Sequence, residues 1–353
     1  MLQSKELIGD GSKVGGAHSA GRPALELRSL VTRFPGDDGA FNVVDGVSLS
    51  VSPGETLAVV GESGSGKTMT FLSAIGLVPR PGKVVEGEIL LDGTDLLMLS
   101  EEDMRAVRGT RLSMVFQDPL TGLNPVFTIG DQIAGVLHAH RKLSRTQARE
   151  IAIGLLEKVH IPDPHRRIDD YPHQLSGGMR QRVLIAMAIS LEPQVLIADE
   201  PTTALDVTVQ AQVLELLAEL REQSGMAIVL ITHDLGLVAR YADRVAVMYA
   251  GRVAETGDAE AIFERTAHPY TVSLFRSVPS LETDTASDLL EIEGQPPDPA
   301  ALPAGCAFEP RCYLGHGRQD CQTTRPALRA VGKSSHRAAC LHSSELITEG
   351  KVE

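Results

Sequence analysis

The chain is expected to adopt an α/β fold with a mostly parallel core sheet, and three observations predict it. The first is a glycine-rich loop, GESGSGKT (Gly61 to Thr68), with the apolar run TLAVV before it and the helical stretch TMTFLSAIGL (Thr68 to Leu77) after it. The second is the rhythm that begins at Val195: VLIAD, VTVQAQVLELLAELREQ, AIVLITH, DLGLVARYA, RVAVMY and GRVAET. Short β-branched runs alternating with helical stretches imply parallel strands covered on both faces. The third is a block of helical pattern between Thr128 and His160 that interrupts this rhythm as an insertion.

Composition narrows the setting. The 353 residues suffice for one large domain with appendages, or for two. A net charge of −13 argues against a nucleic-acid-binding surface as the main role. No apolar run approaches the roughly 20 residues that span a bilayer, and the N-terminus lacks a charged-then-apolar leader. The expected location is therefore the cytosol, or a membrane reached through a partner. All four cysteines (Cys306, Cys312, Cys321, Cys340) fall in the last fifth of the chain, which in a reducing compartment suggests a metal site over disulfides.

Taken in order, residues 1–22 are rich in Gly, Ser and Ala and read as a disordered leader. LELRSLVTRF and FNVVDGVSLSV flank the turn cluster PGDDG and form a β-hairpin leading into the loop strand. VEGEILLDG is a further strand. SEEDMRAVRG is a helix capped by Ser100, with Asp103 at its third position. RLSMVFQ is a buried strand, followed by a loop to about Pro125. In the insertion, Ser144 caps a helix whose Ala148, Ile151, Leu155 and Val159 share one face. There is no internal repeat and no second phosphate loop.

The loop fits G-x-x-x-x-G-K-[ST], with Gly61, Gly66, Lys67 and Thr68 at the fixed positions. Glycines let the backbone curl around an anion so that its amides form a nest. Lys67 then neutralises β- and γ-phosphates, and the Thr68 hydroxyl ligates Mg²⁺. VLIADE delivers Asp199 to the carboxyl edge of the sheet, beside that ion, with Glu200 placed to polarise a water. LSGGMRQR puts Ser176, Gly177 and Gly178 at a helix N-terminus, a second place for an anion.

With these residues assembled, the chain resembles the ATP-binding subunit of an ABC transporter over about residues 25–340. It carries GESGSGKT as Walker A, Gln117 in VFQDP as the Q-loop, LSGGM as the signature, VLIADE as Walker B, ALD (Ala204 to Asp206) as the D-loop and His233 in ITHDL as the switch histidine. The resemblance implies two such subunits facing head to tail. It implies ATP contacts from Gly61, Ser63, Gly64, Ser65, Gly66, Lys67, Thr68, Met69, Gln117, Asp199, Glu200 and His233, and Mg²⁺ ligation by Thr68, Gln117 and Asp199. Glu200 is the implied general base and His233 holds the γ-phosphate. Lys67 and Gln117 complete the catalytic set. Ser176, Gly177, Gly178 and Met179 would serve the partner's ATP; Met179 stands where many members have Gln. An aromatic under the adenine is also implied; Phe34 aligns with it and Phe41 competes. The implied units are an ATPase domain over 23–265, with its helical part at about 126–192, and an extension over 266–353.

HPYTVSLF (His268 to Phe275) and EGQPPDPAALPAGCAFEPRC (Glu293 to Cys312) resemble the C-terminal region of dipeptide and oligopeptide importers, a subfamily that also serves nickel and other small solutes. The proline-rich stretch is expected to be extended. The resemblance implies peptide import from the cytoplasmic face of the cell membrane. Its partners are a second ATPase, usually a paralogue, two transmembrane permeases and an extracytoplasmic solute-binding protein. It further implies a [4Fe–4S] cluster on Cys306, Cys312, Cys321 and Cys340; by their chemistry alone, four thiolates suit such a cluster or zinc. The competing reading, a soluble ABC ATPase acting on ribosomes or DNA, is opposed by the single cassette, the acidic charge and the lack of a long heptad insertion.

Overall fold

The computed structural model describes residues 21–37, 39–117, 122–202, 205–277, 292–332 and 335–348. All but the last two residues of the expected leader, and Ala204 of the ALD motif, lie outside the described residues.

Strand β1 (Leu25–Phe34) pairs antiparallel with β2 (Phe41–Val51), from Leu25 opposite Val51 to Phe34 opposite Phe41. Strand β3 (Thr56–Val60) runs into the glycine loop and helix α1 (Lys67–Ala74). That helix stops three residues short of the expected Leu77. Gly76 adopts φ 69°, Gly76 N–H donates to Ser73 O, and Leu77 N–H reaches back to Leu72 O, a left-handed C-terminal cap. Strands β4 (Lys83–Leu91) and β5 (Thr94–Asp95) then return to the hairpin, giving a four-stranded antiparallel sheet of order β2-β1-β4-β5. Helix α2 (Glu101–Val107) is capped as expected, Ser100 Oγ accepting from Asp103 N–H at 3.2 Å.

After β6 (Leu112–Val115) the chain enters the helical block: α3 (Ile129–His140), α4 (Arg145–Lys158), α5 (Pro164–Arg167) and α6 (Gly177–Ile189). Ser144 and Gln147 form a reciprocal capping box at the start of α4. The buried face of α4 differs from the expected one. Ala148, Ala152, Leu156 and Val159 are wholly buried, whereas Ile151 and Leu155 are only half-buried. Small alanines allow α4 to approach α3 and α6 closely, so the larger side chains flank the contact.

The α/β rhythm then follows: β7 (Val195–Asp199), α7 (Val207–Ser224), β8 (Ala227–Ile231), α8 (Leu235–Tyr241), β9 (Arg244–Tyr249), β10 (Arg252–Asp258), α9 (Ala259–Glu264) and α10 (Pro269–Arg276). Every residue of β3, β7 and β8 is buried, as parallel strands covered on both faces require. The tail contributes α11 (Gln319–Thr323), β11 (Arg329–Ala330), β12 (Arg337–Ala338) and α12 (Ser343–Thr348). The second sheet has eight strands, ordered β11-β12-β10-β9-β3-β8-β7-β6. It is parallel from β9 to β6 and antiparallel beyond β9.

The tail is thus stitched to the edge of the core sheet, Glu255 lying opposite Ala338. Its Phe308 is buried edge-on against Tyr249 and Tyr270. Of the proline-rich stretch Glu293 to Cys312, expected to be extended, residues 293–308 form neither helix nor strand, whereas Glu309–Arg311 form one turn of 3-10 helix. Among the described residues, no helix is long and apolar enough to cross a membrane.

Candidate nucleotide site

The loop between β3 and α1 needs its glycines for space as well as for φ. Gly61 (φ 147°) brings its backbone so close to Met248 O that a Cβ would lie 2.2 Å from it, and a Cβ on Gly66 (φ 95°) would lie 2.7 Å from Val43 O. Lys67 is buried, and its Nζ donates to Gly61 O (2.7 Å), Glu62 O (2.9 Å) and Ser65 Oγ (3.3 Å). Burial lowers its pKa, and the nearby carboxylates of Glu200, Asp199 and Glu62 oppose that shift. Ser63 and Gly64 are exposed at the loop tip, and Ser65 is buried. Met69 is half-buried and packs against the core.

Thr68 Oγ1 donates to Asp199 Oδ1 at 3.1 Å, so the two oxygens expected to share Mg²⁺ are already adjacent. Asp199 ends β7 with 2% of its surface exposed, and burial, only partly opposed by the Thr68 hydrogen bond, pushes its pKa up to about 6. Glu200 follows at φ 44°, a left-handed conformation that a non-glycine residue adopts at a cost of about 1–3 kcal/mol and that typically marks functional sites. Its Oε2 accepts from Gln117 Nε2 at 2.7 Å, and its Oε1 faces His233 Nδ1 at 3.4 Å. Gln117, Glu200 and His233 therefore meet at the carboxyl ends of β6, β7 and β8. The expected Mg²⁺ ligand Gln117 bonds here to Glu200, and its amide is exposed.

The signature residues sit elsewhere. Ser176 caps α6, its Oγ accepting from Met179 N–H at 3.3 Å. Ser176 and Gly177 are exposed, and Gly178 lets α6 approach α7, where a Cβ would lie 2.5 Å from Val209 Cγ1. This exposed helix start is suited to an anion brought by another molecule. Phe34 is half-buried, stacks on Phe41 with ring centroids 6.3 Å apart, and rests over Gly82, where a Cβ would fall 2.2 Å from its ring.

All four cysteines carry free thiols and line one cavity of about 20 Å³, together with His268, Phe308 and His342. Gly315 N–H donates to Cys312 Sγ at 3.1 Å and His342 N–H to Cys340 Sγ at 3.3 Å. Burial raises all four thiol pKa values, those of Cys321 and Cys340 to about 11. Among the described residues, the metal-ligand donors converging within 4.8 Å are Asp320, Cys321 and His342, and not three thiols.

Sequence reasoning passed over Glu62, Tyr270 and Arg311. Glu62 occupies a variable position of the loop pattern, yet its N–H donates to the Tyr270 hydroxyl at 2.8 Å and its carboxylate pairs with Arg311. The only available signal was that Tyr270 and Arg311 fall in the two C-terminal stretches singled out above.

Fold and site together define a phosphate-loop ATPase. Residues 44–203 match the ABC transporter family, and residues 254–321 match the oligopeptide/dipeptide transporter C-terminal region. The chain is 47% identical over 324 residues to the probable peptide ABC transporter ATP-binding protein y4tR of Sinorhizobium fredii, covering 92% of this chain and 96% of that one. It is 51% identical over 289 residues to the dipeptide transport ATP-binding protein DppD of Bacillus subtilis, covering 82% and 86% respectively. Among solved structures, the dimeric ATP-binding cassette MJ0796 in a post-hydrolysis state with ADP and Pi aligns with a TM-score of 0.59 and 28% identity, over 67% of this chain and 98% of that one. The chain belongs to the family of ABC transporter ATP-binding proteins. It uses ATP with Mg²⁺ and is an ATPase.

Proposed function

We propose that this ATPase powers the uptake of di- or oligopeptides across the cell membrane. One observation carries the reading: residues 254–321 match the peptide-transporter C-terminal region, in a chain 47% and 51% identical to proteins named for peptide transport. The chain would work at the cytoplasmic face, held there by two transmembrane permeases. A second ATPase, a paralogue, would complete the nucleotide sites, and an extracytoplasmic binding protein would deliver the solute. We read residues 23–265 as the ATPase unit, with a helical part at about 126–192, and 266–353 as its extension.

The chemistry follows from the geometry. Loop amides and Lys67 hold the β- and γ-phosphates; Thr68, Asp199 and Gln117 would hold Mg²⁺, which would supply charge neutralisation at the phosphate oxygens. Glu200 orients the attacking water and takes its proton, its carboxylate kept in place by Gln117 and His233. Water oxygen bonds to the γ-phosphorus as the bridge to ADP breaks. Ser176, Gly177, Gly178 and Met179 at the start of α6 meet the partner's ATP. Gln117 carries the state of the site toward the permeases.

The four thiols fit a [4Fe–4S] cluster as a donor set, aided by the two N–H donors to sulfur. Cys306, Cys312, Cys321 and Cys340 would hold the cluster, which would cross-link the tail and supply a redox-active group away from hydrolysis. Loading it requires proton release from thiols whose pKa values are raised.

Uptake of labelled dipeptide, oligopeptide and nickel in cells with and without this chain tests the transport reading. Selective loss of peptide uptake is expected; loss of nickel uptake alone would replace peptide with metal. Iron and acid-labile sulfide measured after anaerobic purification test the cluster, and zinc alone or no metal would remove it.

A further inference from the structure

The C-terminal extension reaches the phosphate loop itself. Arg311 lies in the turn between Cys306 and Cys312, and its guanidinium grips the Glu62 carboxylate with both ends: Nη1 to Oε2 at 2.8 Å and Nη2 to Oε1 at 2.9 Å. The remaining donors are also used. Nε bonds to Glu293 O (2.9 Å), Nη1 to Tyr249 Oη (3.3 Å) and Nη2 to Ile292 O (3.3 Å). The Arg311 side chain is only 6% exposed, and Glu62 is 22% exposed. A forked, mostly buried pair of this kind fixes geometry as well as charge.

Glu62 is held at three points. Arg311 takes its side chain, the fully buried Tyr270 takes its N–H, and its own carbonyl accepts from Lys67 Nζ. Two of these three partners belong to residues beyond 265, and the third is the phosphate-binding lysine. Displacing Glu62 therefore shifts an anchor of Lys67 and the start of the amide nest. Holding a loop in its binding shape before the ligand arrives strengthens binding by reducing what must be ordered on association.

We propose that Arg311 is a positioning residue for ATP, clamping the phosphate loop through Glu62. The inference rests on Gly61–Thr68 being the ATP site. The C-terminal extension is then a working part of that site, and a change at Cys306 or Cys312 has a direct mechanical route to it.

The test uses the full chain in its assembled transporter, with Arg311→Ala, Arg311→Lys, Glu62→Gln and the Arg311→Ala/Glu62→Gln double variant. MgATP affinity is read with a fluorescent ATP analogue, and KM and kcat from phosphate release. Arg311→Ala and Glu62→Gln are each expected to raise Kd and KM roughly 5- to 20-fold, with kcat changed far less. The double variant should be no worse than the weaker single one, because both remove one interaction. Arg311→Lys should recover part of the loss, since an ammonium keeps the charge but not the fork. Glu62→Gln, isosteric and in the loop, tests the clamp even if Arg311→Ala disturbs the tail. Wild-type affinity in Glu62→Gln, or multiplicative losses in the double variant, would overturn the proposal. Lys67→Ala serves as the separate control: retained ATP binding there would overturn the site itself.

Discussion

The phosphate loop and the cysteine tail are both places where side chains converge, but they are assembled in different ways. The loop is eight consecutive residues whose glycines, lysine and threonine are brought together by one strand–turn–helix unit. The tail gathers Cys306, Cys312, Cys321 and Cys340 from separate short segments, and depends on β12 pairing with β10 and on Phe308 packing under Tyr249. The loop is anchored in the middle of an eight-stranded sheet, and the tail is attached at its edge. A contiguous motif on a buried strand is legible because its geometry is local. A dispersed cluster requires the rest of the fold to exist first.

Substitutions can separate the two regions, and the largest effect belongs to the sheet's carboxyl edge. Glu200→Gln should lower ATP turnover about 10²- to 10⁴-fold while ATP binding persists, the range for loss of a general base. Single-turnover phosphate release would measure it; unchanged turnover would remove Glu200 as the base. At the tail, His336→Ala should cost about 2–3 kcal/mol. It takes a 2.7 Å hydrogen-bond partner from the fully buried Glu255 carboxylate, which keeps the Ala267 and His268 amides. Hydrogen exchange should show the loss at β12 and the tail, with the β3 amides protected as before. Equal loss in both would mean that the two regions unfold as one.

Asp199 gives the comparison a pH dependence. Its pKa is raised to about 6 by burial, so the folded, metal-free protein holds this proton to a higher pH than an ordinary carboxyl does. The associated stability is complete below the ordinary carboxylate range and is lost as pH rises through about 6. Magnesium binding has the opposite sign because it needs the carboxylate. Mg²⁺-dependent ATP affinity should fall about tenfold per unit below pH 6 and be level above pH 7. Binding titrations with Mg²⁺ and with a chelator would show it, and Asp199→Asn should abolish the slope. The smallest effect is expected in the helical block, remote from both regions. Ser144→Ala removes the capping box of α4 and should cost about 1 kcal/mol in thermal or denaturant unfolding, with ATP affinity unchanged.

Much of the site was legible in the amino-acid sequence. Lys67, Thr68, Asp199, Glu200, Gln117 and His233 lie at the ends of strands or the start of a helix, positions that apolar runs and breakers mark along the chain. The expected caps Ser100 and Ser144 likewise act on amides within three residues. The buried face of α4 was less legible. A helical period permits several neighbouring stripes, and only the contacts with α3 and α6 select the one containing Ala152 and Leu156.

The amino-acid sequence by itself determined the phosphate loop, the strand and helix succession and the acidic pair at the end of β7. Each follows from backbone preferences and side-chain periods acting over a few residues. Tertiary structure alone decided that Gln117 and His233 flank Glu200, that four dispersed thiols line one cavity, that β12 extends the core sheet, and that Arg311 holds Glu62 across the molecule. Those contacts join residues tens to hundreds of positions apart. No local pattern specifies such a partner; it is specified by close packing around a shared core.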